Sequence, residues 1–164
     1  MLLIIVLGVL LLGGYLAYSV RSVTHEPADW HVDPLAVPTS ETPNSYRVAI
    51  PDFTEHLVDQ AAPIYAVDAS TLARAFDTFV MGQPRVERVA GTVEEGWMTY
   101  VQFTEQLRFP DYVSVRFYDF DDAGKSTVAI YSRSRFGYGD MGVNQARVQA
   151  WLQSLASFVD DGES

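Results

Sequence analysis

The chain has 164 residues, a formal net charge of −10 and no cysteine. This length suits one domain with an appended segment, and the acidic balance argues against a nucleic-acid partner, whose phosphates require clustered lysine and arginine. The absence of cysteine excludes disulfides, a thiolate nucleophile, an acylated cysteine and sulfur ligands for a metal.

The first element that the sequence predicts is an apolar helix at the N-terminus. No charged residue occurs in Leu2–Val20, where Leu, Ile and Val dominate. Such a run matches the roughly 20 residues that cross the hydrocarbon core of a bilayer. An uncleaved anchor is favoured over a cleaved signal because no basic residue precedes the run, although Ala17-Tyr18-Ser19 has the pattern of a cleavage site. We therefore predict a transmembrane anchor over residues 1–20, with the membrane as partner of residues 2–20.

The sequence contains little information about which side of the membrane the domain faces. Arg21 directly follows the apolar run and favours a cytoplasmic C-terminal side, but a single arginine is a small bias. Following the usual arrangement of bacterial N-terminal anchors, we expect a single-pass protein of the cell envelope with its domain in the periplasm.

A segment rich in proline and acidic residues follows the anchor. Between Thr24 and Pro63 lie six of the eight prolines and seven Asp or Glu residues, a composition that prevents long helices. We predict a linker over residues 21–45, either an extended stalk or an arm that wraps the domain, and a single domain over residues 46–164. No metal or other cofactor is expected, because the spacing of the three histidines matches no known metal site: His25, His31 and His56.

The domain is predicted to contain two helices and an antiparallel sheet. Asp68 or Ser70 suits the N-cap of a helix that ends near Met81, where Gly82 follows. A second helix with an apolar stripe is expected over about Val143–Val159. Runs rich in Val, Thr, Tyr and Phe predict two short strands and four main ones: Tyr46–Ile50, Ile64–Val67, Arg85–Val93, Trp97–Leu107, Tyr112–Phe120 and Ser126–Phe136.

Turn residues and alternation complete the fold prediction. Gly91–Gly96 and Asp121–Lys125 carry turn chemistry between neighbouring strands, so a meander is the simplest topology. Val113, Val115 and Phe117 alternate with polar residues, which predicts one face covered by helices and one polar face. The fold class is therefore α+β: an antiparallel sheet of four or more strands packed against two helices, preceded by one N-terminal transmembrane helix.

The segment Ser132–Arg147 joins the last predicted strand to the last helix and is rich in glycine and arginine. Its glycines satisfy the dinucleotide-binding fingerprint, but a dinucleotide-binding unit needs a second parallel strand after the helix and none is predicted there, so nucleotide binding is not predicted. Five residues are expected to form either a buried ion-pair network or a cationic site, centred on the last two arginines, for a carboxylate or a phosphate such as that of a lipid headgroup: Arg133, Arg135, Asp140, Asn144 and Arg147.

The same segment resembles the terminal motif of the domain of unknown function family 1499. The resemblance rests on Ser132-x-Ser134-Arg135-x-Gly137-x-x-Asp140-x-Gly142-x-Asn144-x-x-Arg147 and continues through Thr104, Arg108-Phe109-Pro110-Asp111 and Pro43-Asn44. Many members of that family carry a cysteine where this chain has Ser45 and an arginine where it has Tyr131. The resemblance implies a fold and membrane association, with no established activity.

The remaining candidate residues are acids and an arginine near a bend. Arg108 and Asp111 flank a Phe-Pro pair, where they either stabilise the bend through a local ion pair or an Asx-type contact, or belong to a site. Glu105, Asp111 and Asp140 would supply acid–base catalysis if the fold brought them together. We expect a non-enzymatic binding or interaction domain with a lipid or protein partner in the envelope. The alternatives are a carboxylate-dependent hydrolase or transferase, and a carrier of an apolar ligand.

Overall fold

A computed structural model of the chain describes residues 1–120 and 124–160. Its helices are α1 (Leu2–Arg21), α2 (Pro27–Trp30), α3 (Ala69–Met81) and α4 (Val143–Gln153), with 3₁₀ turns at Pro51–Phe53 and Ala156–Phe158. Its strands are β1 (Ser45–Ala49), β2 (Gln60–Ala61), β3 (Ile64–Tyr65), β4 (Val86–Thr92), β5 (Trp97–Phe103), β6 (Pro110–Asp119) and β7 (Ser126–Ser134). Most of the predicted turn Asp121–Lys125, and the last four residues of the predicted domain, lie outside the described residues.

The strands form one sheet in the order β2-β1-β7-β6-β5-β4, and β3 also pairs with β7. The four strands from β4 to β7 make the predicted antiparallel meander. β1 lies antiparallel to β7, and β2 runs parallel to β1 at the edge. The predicted α+β class, with helices packed on a mainly antiparallel sheet, is confirmed.

Local signals place α3 where the sequence predicts it. The carboxylate of Asp68, the N-cap, accepts a hydrogen bond of 2.9 Å from the backbone N–H of Thr71. The helix ends at Gly82. Residues three or four apart share one face of a helix, and those of α3 that are buried follow this spacing: Leu72, Ala73, Phe76 and Val80.

The last helix is shorter than predicted. α4 ends at Gln153, because the hydroxyl of Ser154 donates a 2.6 Å hydrogen bond to the carbonyl oxygen of Trp151 and so competes with the helical backbone bonds. The chain then turns back to β3, where the N–H of Ala66 donates to the carbonyl oxygen of Phe158 at 2.7 Å. The apolar stripe is nevertheless buried as predicted: Val148, Trp151, Leu152 and Leu155.

The main core lies between the sheet and the helices α3 and α4. The ring of Phe76 meets that of Trp151 edge to face at a centroid distance of 5.9 Å and that of Phe117 at 5.5 Å. The ring of Tyr100 meets Trp151 at 6.0 Å. These ring contacts connect α3 and α4 to the sheet at the centre of the core.

The polar face of the sheet is covered by residues 24–44, which we call the arm. Trp30 stacks on Tyr112 of β6 with a centroid distance of 3.6 Å and an interplanar angle of 9°. His31 stacks on Trp97 of β5 at 4.1 Å. Of the two forms that the composition allows for this segment, stalk or arm, the structure therefore shows the arm.

The helix α1 is long and apolar enough to cross a membrane. Both a membrane span and a signal sequence have this property. Most of its described side chains are exposed, whereas Val20 in the last turn is buried. The end of α1 therefore meets the rest of the chain, and the remainder of the helix projects away from it.

Candidate functional site

The sheet divides the predicted site residues into two groups. Successive side chains of a strand point to opposite faces, so Arg133 and Arg135 lie on the arm side of β7, whereas Ser132 and Ser134 lie on the helix side. The described contacts agree: Arg133 bonds to the arm, and Ser132 bonds to α4. The five residues predicted as one network therefore belong to two clusters on opposite faces.

Arg147 is the centre of the helix-side cluster and is buried. One terminal nitrogen, Nη2, donates to the Asp111 carboxylate at 2.5 Å, and Nε donates to the Gln102 side-chain oxygen at 2.7 Å. The other, Nη1, donates to the Ser132 hydroxyl at 3.1 Å and to the Asn144 side-chain oxygen at 2.7 Å. Its acidic partner is thus Asp111 and not Asp140, and all three of its guanidinium nitrogens donate to protein groups.

Asn144 connects this cluster to the start of the domain. Its side-chain amide donates to the carbonyl oxygen of Asn44 at 2.8 Å and to the Ser134 hydroxyl at 3.1 Å. The amide of Asn44 in turn donates to the carbonyl oxygen of Gly137 at 2.9 Å. Sequence analysis named Asn44 only as part of the family resemblance and did not single out Gln102, because neither residue lies near the last helix in the chain. The motif residues on this face hold the last loop, α4 and β1 together.

Asp140 stabilises the beginning of α4. Its two carboxylate oxygens accept hydrogen bonds from the backbone N–H groups of Gly142 at 3.0 Å and Asn144 at 2.7 Å. An acid at this position also compensates the positive end of the helix dipole. Asp140 is therefore engaged by the backbone and stays apart from the arginines.

The residues around the Phe-Pro bend do not form the predicted local ion pair. Arg108 lies with its guanidinium carbon 4.5 Å above the ring of Phe103, and Asp111 turns inward to Arg147. The bend is closed by Thr104, whose hydroxyl accepts from the N–H of Phe109 at 2.9 Å and whose N–H donates to the carbonyl oxygen of Phe109 at 3.0 Å.

The arm-side cluster consists of two arginines above one indole ring. The guanidinium carbon of Arg133 lies 4.9 Å from the centroid of the Trp30 ring, and that of Arg135 lies 5.4 Å from it. Trp30 is held from below by its stack on Tyr112. We call these four residues the arginine cluster. Cation–π contacts position the two charges without neutralising them.

The hydrogen bonds of the two arginines go to neutral groups. Arg133 donates to the carbonyl oxygen of Asp29 at 3.1 Å. Arg135 donates to the carbonyl oxygen of Thr24 at 2.9 Å and to the hydroxyl of Tyr112 at 3.2 Å. In the part of the chain that the structure describes, neither arginine pairs with a carboxylate. Both therefore keep N–H donors for a further partner.

Arg133 and Arg135 line an open cleft of about 430 Å³ between the arm and the end of β7. Burial lowers the pKa of Arg133 from its ordinary value, against smaller opposite effects of Tyr131 and Tyr112. A bound anion would compensate this loss of hydration. The other residues that line the cleft include one acid, Asp29, and residues with aromatic, hydroxyl or amide groups: Trp30, Ser40, Thr42, Asn44 and Tyr131.

A third cation lies directly behind this cleft. Arg47 of β1 is fully buried, with its guanidinium carbon 4.5 Å above the ring of Tyr131. It donates to the carbonyl oxygen of Val37 at 2.5 Å and to the hydroxyl of Thr39 at 3.3 Å, while its Nε has no partner among the described residues. Sequence analysis missed Arg47, although its place on a strand opposite Tyr131 makes it part of the same face.

The predicted catalytic acids are only partly brought together. Asp111 and Asp140 line a second cleft of about 290 Å³, but Glu105 is exposed on the neighbouring loop. The first is paired with Arg147, and the second is bonded to the start of α4. Within the described residues, no group of three or more His, Asp or Glu side chains is placed to hold a metal ion.

Over residues 28–155 the chain matches a family described as "Protein of unknown function (DUF1499)". The chain belongs to the DUF1499 family. The match confirms the resemblance seen in the sequence, and comparison with curated proteins finds no match. The DUF1499 range begins inside the segment predicted as a linker over residues 21–45, so it includes Trp30 as well as Arg133 and Arg135. It does not include α1, and membrane anchoring is thus not part of what the DUF1499 match shows.

Proposed function

We propose that this DUF1499 protein is a non-enzymatic, membrane-tethered binding domain whose arginine cluster takes an anionic group, a phosphate or a carboxylate. The observation that carries the proposal is the state of Arg133 and Arg135. In a chain with a net charge of −10, these two cations lie side by side at a cleft with no acid paired to either within the described residues.

The geometry suits a ligand with several acceptor oxygens. Guanidinium groups present N–H donors in a planar fork that matches carboxylate and phosphate oxygens. Trp30 contacts both guanidinium groups, and Ser40 and Thr42 also line the cleft, where their hydroxyls donate to the side-chain oxygen of Asn44. An anion in the cleft would accept from both arginines.

The helix side of the sheet supports a binding role over catalysis. A general acid or base needs a carboxyl group that is free to exchange a proton with a substrate. Asp111 is committed to Arg147 and Asp140 to the first turn of α4. These acids therefore act in the architecture of the domain, and the arm side remains for the ligand.

The apolar helix α1 supports tethering, with the domain proposed to face the periplasm. A C-terminal alkaline phosphatase fusion tests the side, since that enzyme becomes active only after export. An inactive but intact fusion would place the domain in the cytoplasm. The choice of the periplasm rests on the usual arrangement of bacterial N-terminal anchors.

The direct test of the anion site is a titration of the full chain in phosphatidylcholine nanodiscs with inorganic phosphate. A ligand that binds only the folded state raises the melting temperature in a saturable way, and sodium chloride at matched ionic strength is the reference. Arg133→Gln and Arg135→Gln should each weaken phosphate binding by about tenfold or more, because each removes a charge-assisted hydrogen bond of about 1.5–3 kcal/mol.

The matched control is Arg74→Gln, since Arg74 is exposed on α3 on the other side of the sheet. It removes the same charge and should leave the titration unchanged. Equal losses in all three variants would mean that phosphate responds only to net charge, and a wild-type chain with no saturable response would refute the site. Discs that contain phosphatidylglycerol distinguish the sources of the anion, because a headgroup in the cleft would weaken the response to free phosphate.

A further inference from the structure

Two loops at one end of the sheet expose large apolar side chains. They are the loop of residues 104–109 between β5 and β6 and the loop of residues 135–142 between β7 and α4. The rings of Phe109 and Phe136, one from each loop, contact each other at a centroid distance of 5.9 Å. We call the exposed apolar residues of these loops and of the first position of α4 the apolar edge: Leu107, Phe136, Tyr138, Met141 and Val143.

The backbone holds this edge outward. Met141 has a φ of 53° and its side chain is fully exposed. A positive φ is unfavourable for a residue with a side chain, and here Met141 lies inside the turn that is closed by the hydrogen bonds from the N–H groups of Gly142 and Asn144 to the Asp140 carboxylate. Burial of a large apolar side chain in a partner is favourable, whereas its exposure to water at a fixed position is not. The edge is therefore a candidate for a contact surface.

The apolar edge lies at the end of the sheet that is closest to the end of α1. Arg135, the residue before Phe136, donates to the carbonyl oxygen of Thr24 at 2.9 Å. Thr24 is three residues beyond Arg21, the last residue of α1. Three residues of extended chain span at most about 10–11 Å. The next residue, His25, packs against Phe103 at the end of β5 with a ring distance of 5.4 Å.

We propose that the apolar edge docks onto the bilayer that α1 crosses, so that the domain lies on the membrane surface. The proposal rests on the membrane span of the proposed function. Proteins that bind at the membrane interface bury apolar side chains and place Tyr and Arg at the level of the headgroups. The apolar edge contains Tyr138, and Arg135 lies three residues before it in the same loop.

The charge of the two loops is compatible with this position. They contain two arginines and two acids, so this end is neutral although the protein carries −10 in total. One of the acids, Asp140, is occupied by backbone donors. The other, Glu105, is exposed and would lie in the hydrated headgroup layer. Docking would also bring Arg135, at the mouth of the cleft, to the level of the lipid phosphates.

The absence of cysteine from the chain makes a depth measurement direct. A nitroxide spin label is attached to one loop at a time, through Met141→Cys or Leu107→Cys. Each single variant is the full chain in phosphatidylcholine nanodiscs. Both side chains are exposed, so the labels displace no packed group. Electron paramagnetic resonance gives the rate at which each label collides with oxygen, which concentrates in lipid. This rate is compared with the rate of collision with a water-soluble nickel chelate.

The matched control is Glu94→Cys, in the turn between β4 and β5. Glu94 is exposed, and it lies beyond the other end of β5, whose seven residues span about 23 Å at roughly 3.3 Å per residue. We expect the labels at 107 and 141 to collide several times more often with oxygen than with the chelate, and the label at 94 to show the reverse. If either loop label is as accessible to the chelate as the label at 94, the docking is wrong.

The depth measurement and the phosphate titration fail independently. Lipid contact at both loop labels with no saturable phosphate response would support the docking and refute the anion site. Aqueous labels in a chain that binds phosphate would refute the docking and leave the anion site intact. A chain that does not enter the nanodiscs through α1 would refute the docking together with the membrane span on which it rests.

Discussion

Replacing Arg147 by methionine tests how much of the stability depends on the helix-side cluster. The side chains of Arg147 and Asp111 are 6% and 5% exposed, so the variant leaves a carboxylate buried without its countercharge. It also removes the donors to Ser132, Asn144 and Gln102. Breaking a buried ion pair by removing one partner costs about 3–5 kcal/mol. For a chain of this size, that corresponds to a fall in melting temperature of roughly 6–20 °C.

The matched control is Arg116→Met. Arg116 of β6 pairs with Asp33 of the arm, but these side chains are 38% and 26% exposed, and pairs open to solvent contribute only about 0–1 kcal/mol. Thermal unfolding of the full chain in nanodiscs, followed by near-ultraviolet circular dichroism, compares the two variants. Asp111→Asn combined with Arg147→Met should recover part of the loss, because no charge then remains buried.

The comparison can contradict this account in two ways. If Arg147→Met melts no lower than Arg116→Met, the buried pair is not a principal source of stability. If the double variant is as unstable as the sum of the single ones, the loss comes from packing and not from an unpaired carboxylate.

Three further predictions concern local elements. Hydrogen bonds to the Asp68 carboxylate, of which the one from Ser70 contributes most, hold the pKa of Asp68 well below its usual value. The ionised cap therefore stabilises α3 fully at any pH above the unfolded-state pKa of about 4. This stabilisation is lost as the pH falls through the lower pKa of the folded state. Asp68→Ala should therefore lower the melting temperature at neutral pH, with a difference that shrinks in acid; a difference independent of pH would exclude the cap as its cause. Gly91→Ala should lower the free energy of unfolding, measured by urea titration, by about 3 kcal/mol or more, because the new Cβ would lie 1.9 Å from a backbone oxygen of β5. Gly124→Ala, at a similar positive φ with no atom within 4 Å, should cost only about 1–2 kcal/mol, and equal losses would show that φ alone matters. Trp30→Ala should speed thermolysin cleavage of the arm several-fold, since the aromatic stack contributes about 0.5–1.5 kcal/mol beyond its buried area; unchanged cleavage would mean that the arm is held elsewhere.

Much of the fold follows from signals that act within a few residues of each other. The cap at Asp68 and the stop at Gly82 determine α3, since both satisfy backbone groups of the adjacent turn. The alternation around Val115 predicts which face of β6 packs against the helices, because neighbouring side chains of a strand point in opposite directions. The main deviation at this level is the early end of α4, where a serine hydroxyl bonds to its own helix.

The partners of the charged residues could not be deduced in this way. Asp140 is near Arg147 in the chain and was therefore its expected partner, but the pairing of β6 with β7 places Asp111 opposite Ser134 and directs it to α4 instead. In the same way, Arg135 reaches a carbonyl oxygen 111 residues earlier in the chain.

The sequence by itself thus determined the apolar helix, the α+β class and the family. The tertiary structure decided that the predicted site residues lie on opposite faces of the sheet, and that the proline-rich segment is an arm over the arginines. The physical reason is the separation along the chain of the residues that interact. Caps and side-chain periodicity depend on bonds within one or two turns, whereas strand register and the packing of distant segments decide which side chains meet.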